Sequence, residues 1–203
     1  MRNKIIIGVV AILMAGGILA FAAYLSLPGG FLYPAKINII EGIEGKFYSN
    51  EQARADWQLA RMTRRLIEAE KLAMKGGLDT NANDQINTFY DRHWRAIEDY
   101  LESLKQKGNL SRVADIISEF EALVEAHNLT ITKITQARPE TNQELNRILG
   151  NSVFKEAAAR KLREDLEKII LNVPKDRLEE IIRNELQLAK IKIEDADKSR
   201  DQH

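Results

Sequence analysis

The stretch ARADWQLARMTRRLIEAEKLAMKGG, residues 53–77, sets the architecture. Leu59, Met62, Leu66, Ala69 and Ala73 recur at three- and four-residue steps, beside a second line formed by Trp57, Ala60 and Ile67. That rhythm predicts a helix with a broad core-facing side, and a ligand surface is the less economical reading of the same residues. Upstream, Ser49-Asn50-Glu51-Gln52 has capping-box spacing: the Ser49 hydroxyl can take an early helical N–H and Gln52 can return a bond. Gly76-Gly77 supplies the stop.

The pattern repeats downstream. A helix from about Asn83 to Lys107 carries Ile86, Tyr90, His93, Ile97, Leu101 and Leu104 on one face and closes at Gly108. After Ser111 a third helix carries Val113, Ile116, Phe120, Val124, His127, Ile131 and Ile134, with the β-branched run TITKIT weakening it beyond Asn128. Pro139 interrupts the chain, Thr141 or Asn142 can cap a fourth helix reaching about Asn172, and Pro174 precedes a fifth from about Lys175 to Lys198. Short connections between long amphipathic helices favour antiparallel neighbours, so the expected fold is all-α, an antiparallel bundle of long helices. Along the Leu145, Leu149, Ala159, Leu166 and Val173 line, Ser152 and Glu156 intervene, which disfavours an uninterrupted coiled-coil seam. Packing of these two C-terminal helices back onto the bundle is preferred, with pairing of two copies into a homo-oligomer as the alternative.

Composition agrees with helix. Of 203 residues, 44% are hydrophobic and 30% charged, with only 11 Gly and 4 Pro. Thirty basic residues cancel thirty acidic ones, so no global field draws the chain onto nucleic acid. The absence of Cys removes disulfides, thiolate metal sites and thiol catalysis together.

The N-terminus reads differently. After Arg2 and Lys4, residues 5–27 (IIIGVVAILMAGGILAFAAYLSL) carry no charge. About 23 residues make a helix of roughly 35 Å, enough to cross a hydrocarbon core of about 30 Å. A single N-terminal transmembrane helix is expected, with the basic residues cytoplasmic and everything beyond Leu27 on the far side. Tyr24, Phe31 and Tyr33 would lie near the outer interface. Ala20-Phe21-Ala22 also offers a small-x-small cleavage site, so a signal peptide is the alternative, although the apolar run is longer than such peptides need. Beyond it, PGGFLYPAK forms a stiffened exit, and Ile37, Ile40, Ile43 and Phe47 recur at helical spacing. A short amphipathic helix packed on the bundle is preferred there to one lying on lipid. The expected division is therefore 1–4 cytoplasmic tail, 5–27 anchor, 28–46 stem and short helix, 47–137 helical core domain, 138–198 two-helix C-terminal extension and 199–203 disordered tail.

Two motifs carry a resemblance. Leu27, Pro28, Gly29, Leu32, Tyr33, Pro34 and Lys36 form L-P-G-x-x-L-Y-P-x-K, and Leu59, Ala60, Arg64, Leu66, Glu68, Ala69 and Glu70 follow on the first bundle helix. Together they resemble a bacterial membrane-attached domain family of unknown function, over about Ser26 to Thr135, roughly half the chain. The resemblance implies an exported helical domain behind a single anchor. Some members look like the outer portions of anti-sigma regulators, but the four residues ahead of the anchor are too few to hold a sigma factor. A second membrane protein would then have to carry any signal inward.

No phosphate-cradling loop, nucleophile elbow or zinc-protease helix is present in the sequence. Glu68/Glu70 and Glu179/Glu180 read as solvated helix faces rather than acid–base pairs. Arg61, Arg64, Arg65 and Lys71, interleaved with Glu68 and Glu70, read as a surface strip of paired charges, with polyanion binding as the sharper alternative. His93 and His127 lie in apolar stripes at positions symmetric about residue 110, where an antiparallel hairpin would set them at nearly one level. Structural histidines are the simpler reading, and a metal or haem site is the alternative. The expected function is accordingly non-catalytic and cofactor-free: a membrane-tethered extracytoplasmic domain that acts in protein interaction, envelope scaffolding or sensing, with an envelope or membrane protein as partner. A metal- or haem-binding bundle at His93 and His127 is the runner-up.

Overall fold

The structure, a computed structural model, describes residues 2–172 and 183, and the side chains of those from Met14 onward. It is all-helical: among the described residues there is no strand. The helix α1 spans Arg2–Leu25; the stem contains a short turn, α2 (Tyr33–Ala35), a π-helical segment (Lys36–Glu41) and α3 (Gly42–Lys46). Four long helices follow: α4 (Glu51–Met74), α5 (Thr80–Gln106), α6 (Leu110–Ala137) and α7 (Asn142–Leu171). The expected helix over 175–198, the tail over 199–203 and the Glu179/Glu180 pair lie outside the described residues.

The long helices form one bundle. The hairpins α4–α5 and α6–α7 are each closely packed, and α4 also meets α6 while α5 meets α7. A single core runs through all four, from Met62, Leu66 and Ala69 on α4 and Ile86, Tyr90 and Ile97 on α5 to Ile116, Phe120 and Val124 on α6 and Leu145, Ile148 and Ala159 on α7. Trp94 and Phe120 pack with ring centres 4.5 Å apart and their planes tilted by 35°. Beyond residue 138, Leu145, Ile148, Ala159 and Leu166 of α7 join the same core as α4, α5 and α6. Leu149, placed by spacing on the inner line, is only half-buried, and Ile148 takes the interior position.

The helix ends follow from local chemistry, with small shifts. Asn50, one residue after the expected Ser49, caps α4 by accepting the Ala53 N–H at 2.6 Å. Asp79 caps α5 and Asn109 caps α6 in the same manner. Gly76, at φ +68°, and Gly108, at φ +75°, close α4 and α5 in the left-handed conformation where a side chain would be strained. The TITKIT run stays helical after all, because Ile131 and Ile134 are buried and tertiary packing outweighs the β-branched preference.

The expected 5–27 anchor falls on α1. Among the described residues no helix is long and apolar enough to cross a membrane.

Candidate functional site

The two sequence motifs, about thirty residues apart, meet in a buried ion network under the stem. Tyr33, Lys36 and Glu41 come from the stem, Arg61, Arg64, Arg65 and Glu68 from α4. The π-helical segment decides this placement. Its wider turn brings residues five apart to one side, so Lys36 and Glu41 both face α4. Both are 2% exposed, and Arg65 is fully enclosed.

The bonds close on Glu68. Its Oε2 accepts from the Tyr33 hydroxyl at 2.8 Å, and its Oε1 pairs with Lys36 Nζ at 2.5 Å. Arg65 donates from one nitrogen to the Tyr33 hydroxyl at 2.6 Å and from the other to Glu41 Oε1 at 2.7 Å, while its Nε lies 3.3 Å from Glu68. Among the innermost groups, two cations, Lys36 and Arg65, balance two carboxylates, Glu41 and Glu68. Arg61 bridges Glu41 and Glu44 from the rim, and Arg64 approaches Glu41 and Glu68. Burial pushes the Lys36 ammonium below its usual range despite the Glu68 carboxylate, and burial pushes the Tyr33 phenol well above its own, against the pull of Arg65.

This network also grips the end of α1. Lys36 Nζ donates to the Ser26 carbonyl at 2.8 Å, and the Arg64 guanidinium sits 4.7 Å from the Tyr24 ring centre and reaches the Tyr24 carbonyl at 3.4 Å. Gly29, at φ +81°, donates to Gln85 Oε1 at 2.9 Å and so pins the exit to α5. Pro28 is buried, Leu27 packs against the core, Leu32 is half-buried and Pro34 is exposed. Of the charged motif residues, Glu70 stands apart and meets His127 Nδ1 at 2.7 Å.

Several expectations change here. Tyr33 is sealed inside rather than at an interface. Arg61, Arg64 and Arg65 are not a solvated strip but members of the network, and of the expected basic strip only Lys71 is exposed. The Ile37, Ile40, Ile43 and Phe47 line does not bury as one face: Ile37 is enclosed, Ile40 half-buried, and Ile43 and Phe47 are exposed. A π turn breaks the 3.6-residue period, and the polar residues take the inward positions. Arg65 and Glu41 were missed as site residues. A signal for Arg65 existed: it falls three after Met62 and four before Ala69, inside the apolar stripe.

His93 and His127 are not brought together. His93 Nδ1 meets Gln58 Oε1 at 2.5 Å and His127 meets Glu70. Gln58 and Glu70 are twelve residues apart on α4, about 18 Å along its axis. Symmetry about a loop fails because α4 sets the register of both helices. His93 lines a cavity of about 220 Å³ with Glu41, Trp57 and Arg92, and its Nε2 has no hydrogen-bond partner among the described residues. Burial, with Arg65, Arg61 and Arg92 nearby, lowers its pKa to about 3, so the ring is neutral. Among the described residues no three His, Asp or Glu side chains converge to hold a metal ion.

A second polar seam joins α5 to α7. Asn151 donates to Asn87 and Asp91 at 2.8 and 3.0 Å, and Lys155 Nζ contacts Asn151 and Asp91 at 2.7 and 2.8 Å. Asn83, Asn87 and Asp91 recur every four residues, a legible line on one face of α5. No known protein family matches the chain, and neither the curated proteins nor the solved structures compared with it give a match.

Proposed function

We propose that the chain is a membrane-tethered helical domain outside the cytoplasm, acting in protein interaction, envelope scaffolding or sensing rather than in catalysis. Residues 5–27 are its single-pass anchor, with the N-terminus cytoplasmic, and an envelope or membrane protein is its partner. The observation that carries this reading is the grip on α1: Lys36 on the Ser26 carbonyl and Arg64 on Tyr24 tie a helix that is uncharged from residue 5 onward to the bundle. A tether held this way transmits position between membrane and bundle, which a flexible linker would not. Every described side chain from Met14 to Ala22 is exposed and none is charged, a surface suited to lipid. The resemblance to a membrane-attached family points in the same direction.

Fractionation with protease protection tests the topology. External protease should digest the bundle in intact spheroplasts, while the membrane pellet retains the N-terminal fragment after alkaline extraction. A bundle that survives external protease, or a chain released at alkaline pH, overturns the assignment. Photo-crosslinking from exposed bundle positions in the native membrane tests the interaction role; repeated recovery of only the uncrosslinked chain, with efficient crosslinking of a control, counts against it.

A further inference from the structure

The stem segregates its residues in an unusual sense, with charge inward and large apolar groups outward. Tyr33, Ile37, Glu41 and Gly45, four apart, face the bundle: the first three are at most 5% exposed, and a Cβ on Gly45 would stand 3.1 Å from the Trp57 ring. Offset by two positions, Ile39, Ile43 and Phe47 face away at 58, 52 and 80% exposure, and Phe31 just before them is 96% exposed. A two-residue offset on a helix is roughly half a turn. The outer line is therefore opposite the docked one and has no partner among the described residues.

We infer that this outer line lies in the headgroup–acyl boundary of the membrane, seating the bundle directly on the lipid surface. The inference rests on α1 being a membrane anchor. Continuity favours lipid as the occupant: α1, with Phe21 and Leu25 exposed, packs directly against the π-helical segment whose Ile39 belongs to the outer line. A protein partner covers one face of a helix, whereas α1 is exposed and uncharged on every side from Met14 to Ala22. Tyr24, Tyr48 and Lys46, all exposed, flank the apolar groups as interfacial side chains do, with rings and ammonium able to reach the headgroups. The consequence is a fixed tilt: with both α1 and the stem in lipid, the bundle cannot rotate about its tether.

The chain has no Cys, so single-cysteine variants of the full-length protein can each take one nitroxide label. Phe31→Cys, Ile39→Cys, Ile43→Cys and Phe47→Cys change exposed side chains only, and circular dichroism checks their folding. Ile18→Cys reports on α1, and Leu129→Cys, exposed on α6, reports on the aqueous face. In phosphatidylethanolamine–phosphatidylglycerol vesicles, oxygen accessibility relative to a water-soluble nickel chelate should be several-fold higher at the stem sites than at position 129. It should be highest at position 18. Nickel access at the stem with oxygen access at position 18 overturns the seating and leaves the anchor intact. Nickel access at both overturns both. Spin–spin broadening at the stem sites identifies a second copy as the occupant and also overturns the seating.

Discussion

Lys36 and Glu68, thirty-two residues apart in sequence, form a contact of 2.5 Å with both side chains at most 4% exposed. The pair joins the π-helical segment to the C-terminal third of α4. Its net contribution to stability is small, because desolvating two charges offsets their attraction, but removal of one partner strands the other in the interior.

Glu68→Ala should therefore destabilise the folded chain by about 3–5 kcal/mol, while Lys36→Met combined with Glu68→Leu should recover much of that loss. Urea unfolding of the unsubstituted chain, Lys36→Met, Glu68→Leu and the double variant forms a double-mutant cycle. Strictly additive losses would show that the two groups do not act as a pair.

His93 gives a pH dependence of defined sign. Folded, the ring stays neutral to about pH 3; unfolded, it titrates near its ordinary value of about 6.5. Between these values the unfolded chain holds more protons, so stability is complete above about pH 6.5 and falls as pH drops toward 3. Between about pH 7 and pH 4 the native chain should lose on the order of 2–3 kcal/mol more than His93→Gln. Parallel stability curves for the two would refute a buried neutral imidazole.

The α5–α7 seam should be sensitive to single substitution. Asn151→Leu leaves Lys155 and Asn87 each short of a bond and should cost about 1–3 kcal/mol, well above an ordinary surface change. Hydrogen exchange should quicken on α7 before it does on α4. An unchanged α7 would mean that the seam is incidental to docking.

Ending the chain at Arg138 removes Leu145, Ile148, Ala159 and Leu166 from the common core. The remainder should lose cooperative unfolding, or associate to cover the exposed face of α6. A truncated monomer with native protection of α6 would show that α4–α6 stand alone.

The long helices were legible because their physics is local. Apolar residues at three- and four-residue steps, Asx caps and closing glycines act within one or two turns, so their boundaries shifted by only a residue or a few. The Asn83–Asn87–Asp91 line was equally visible, though not its partner: which helix would receive those amides depends on the order of helices around the core. His93 and His127 show the same limit, since symmetry about one loop says nothing of a register set by a third helix.

By itself, the sequence determined an all-helical chain, the four amphipathic segments of the bundle, and a 23-residue uncharged stretch ahead of them. Only the tertiary structure decided that Lys36, Glu41, Arg65 and Glu68 go inside while Ile43 and Phe47 stay outside. The reason is physical. Apolar burial needs no particular partner, so periodicity announces it, whereas a charge is buried only where opposite charge and hydrogen bonds await it. Those partners came from a distant segment, presented by a π turn that the ordinary helical period does not reveal.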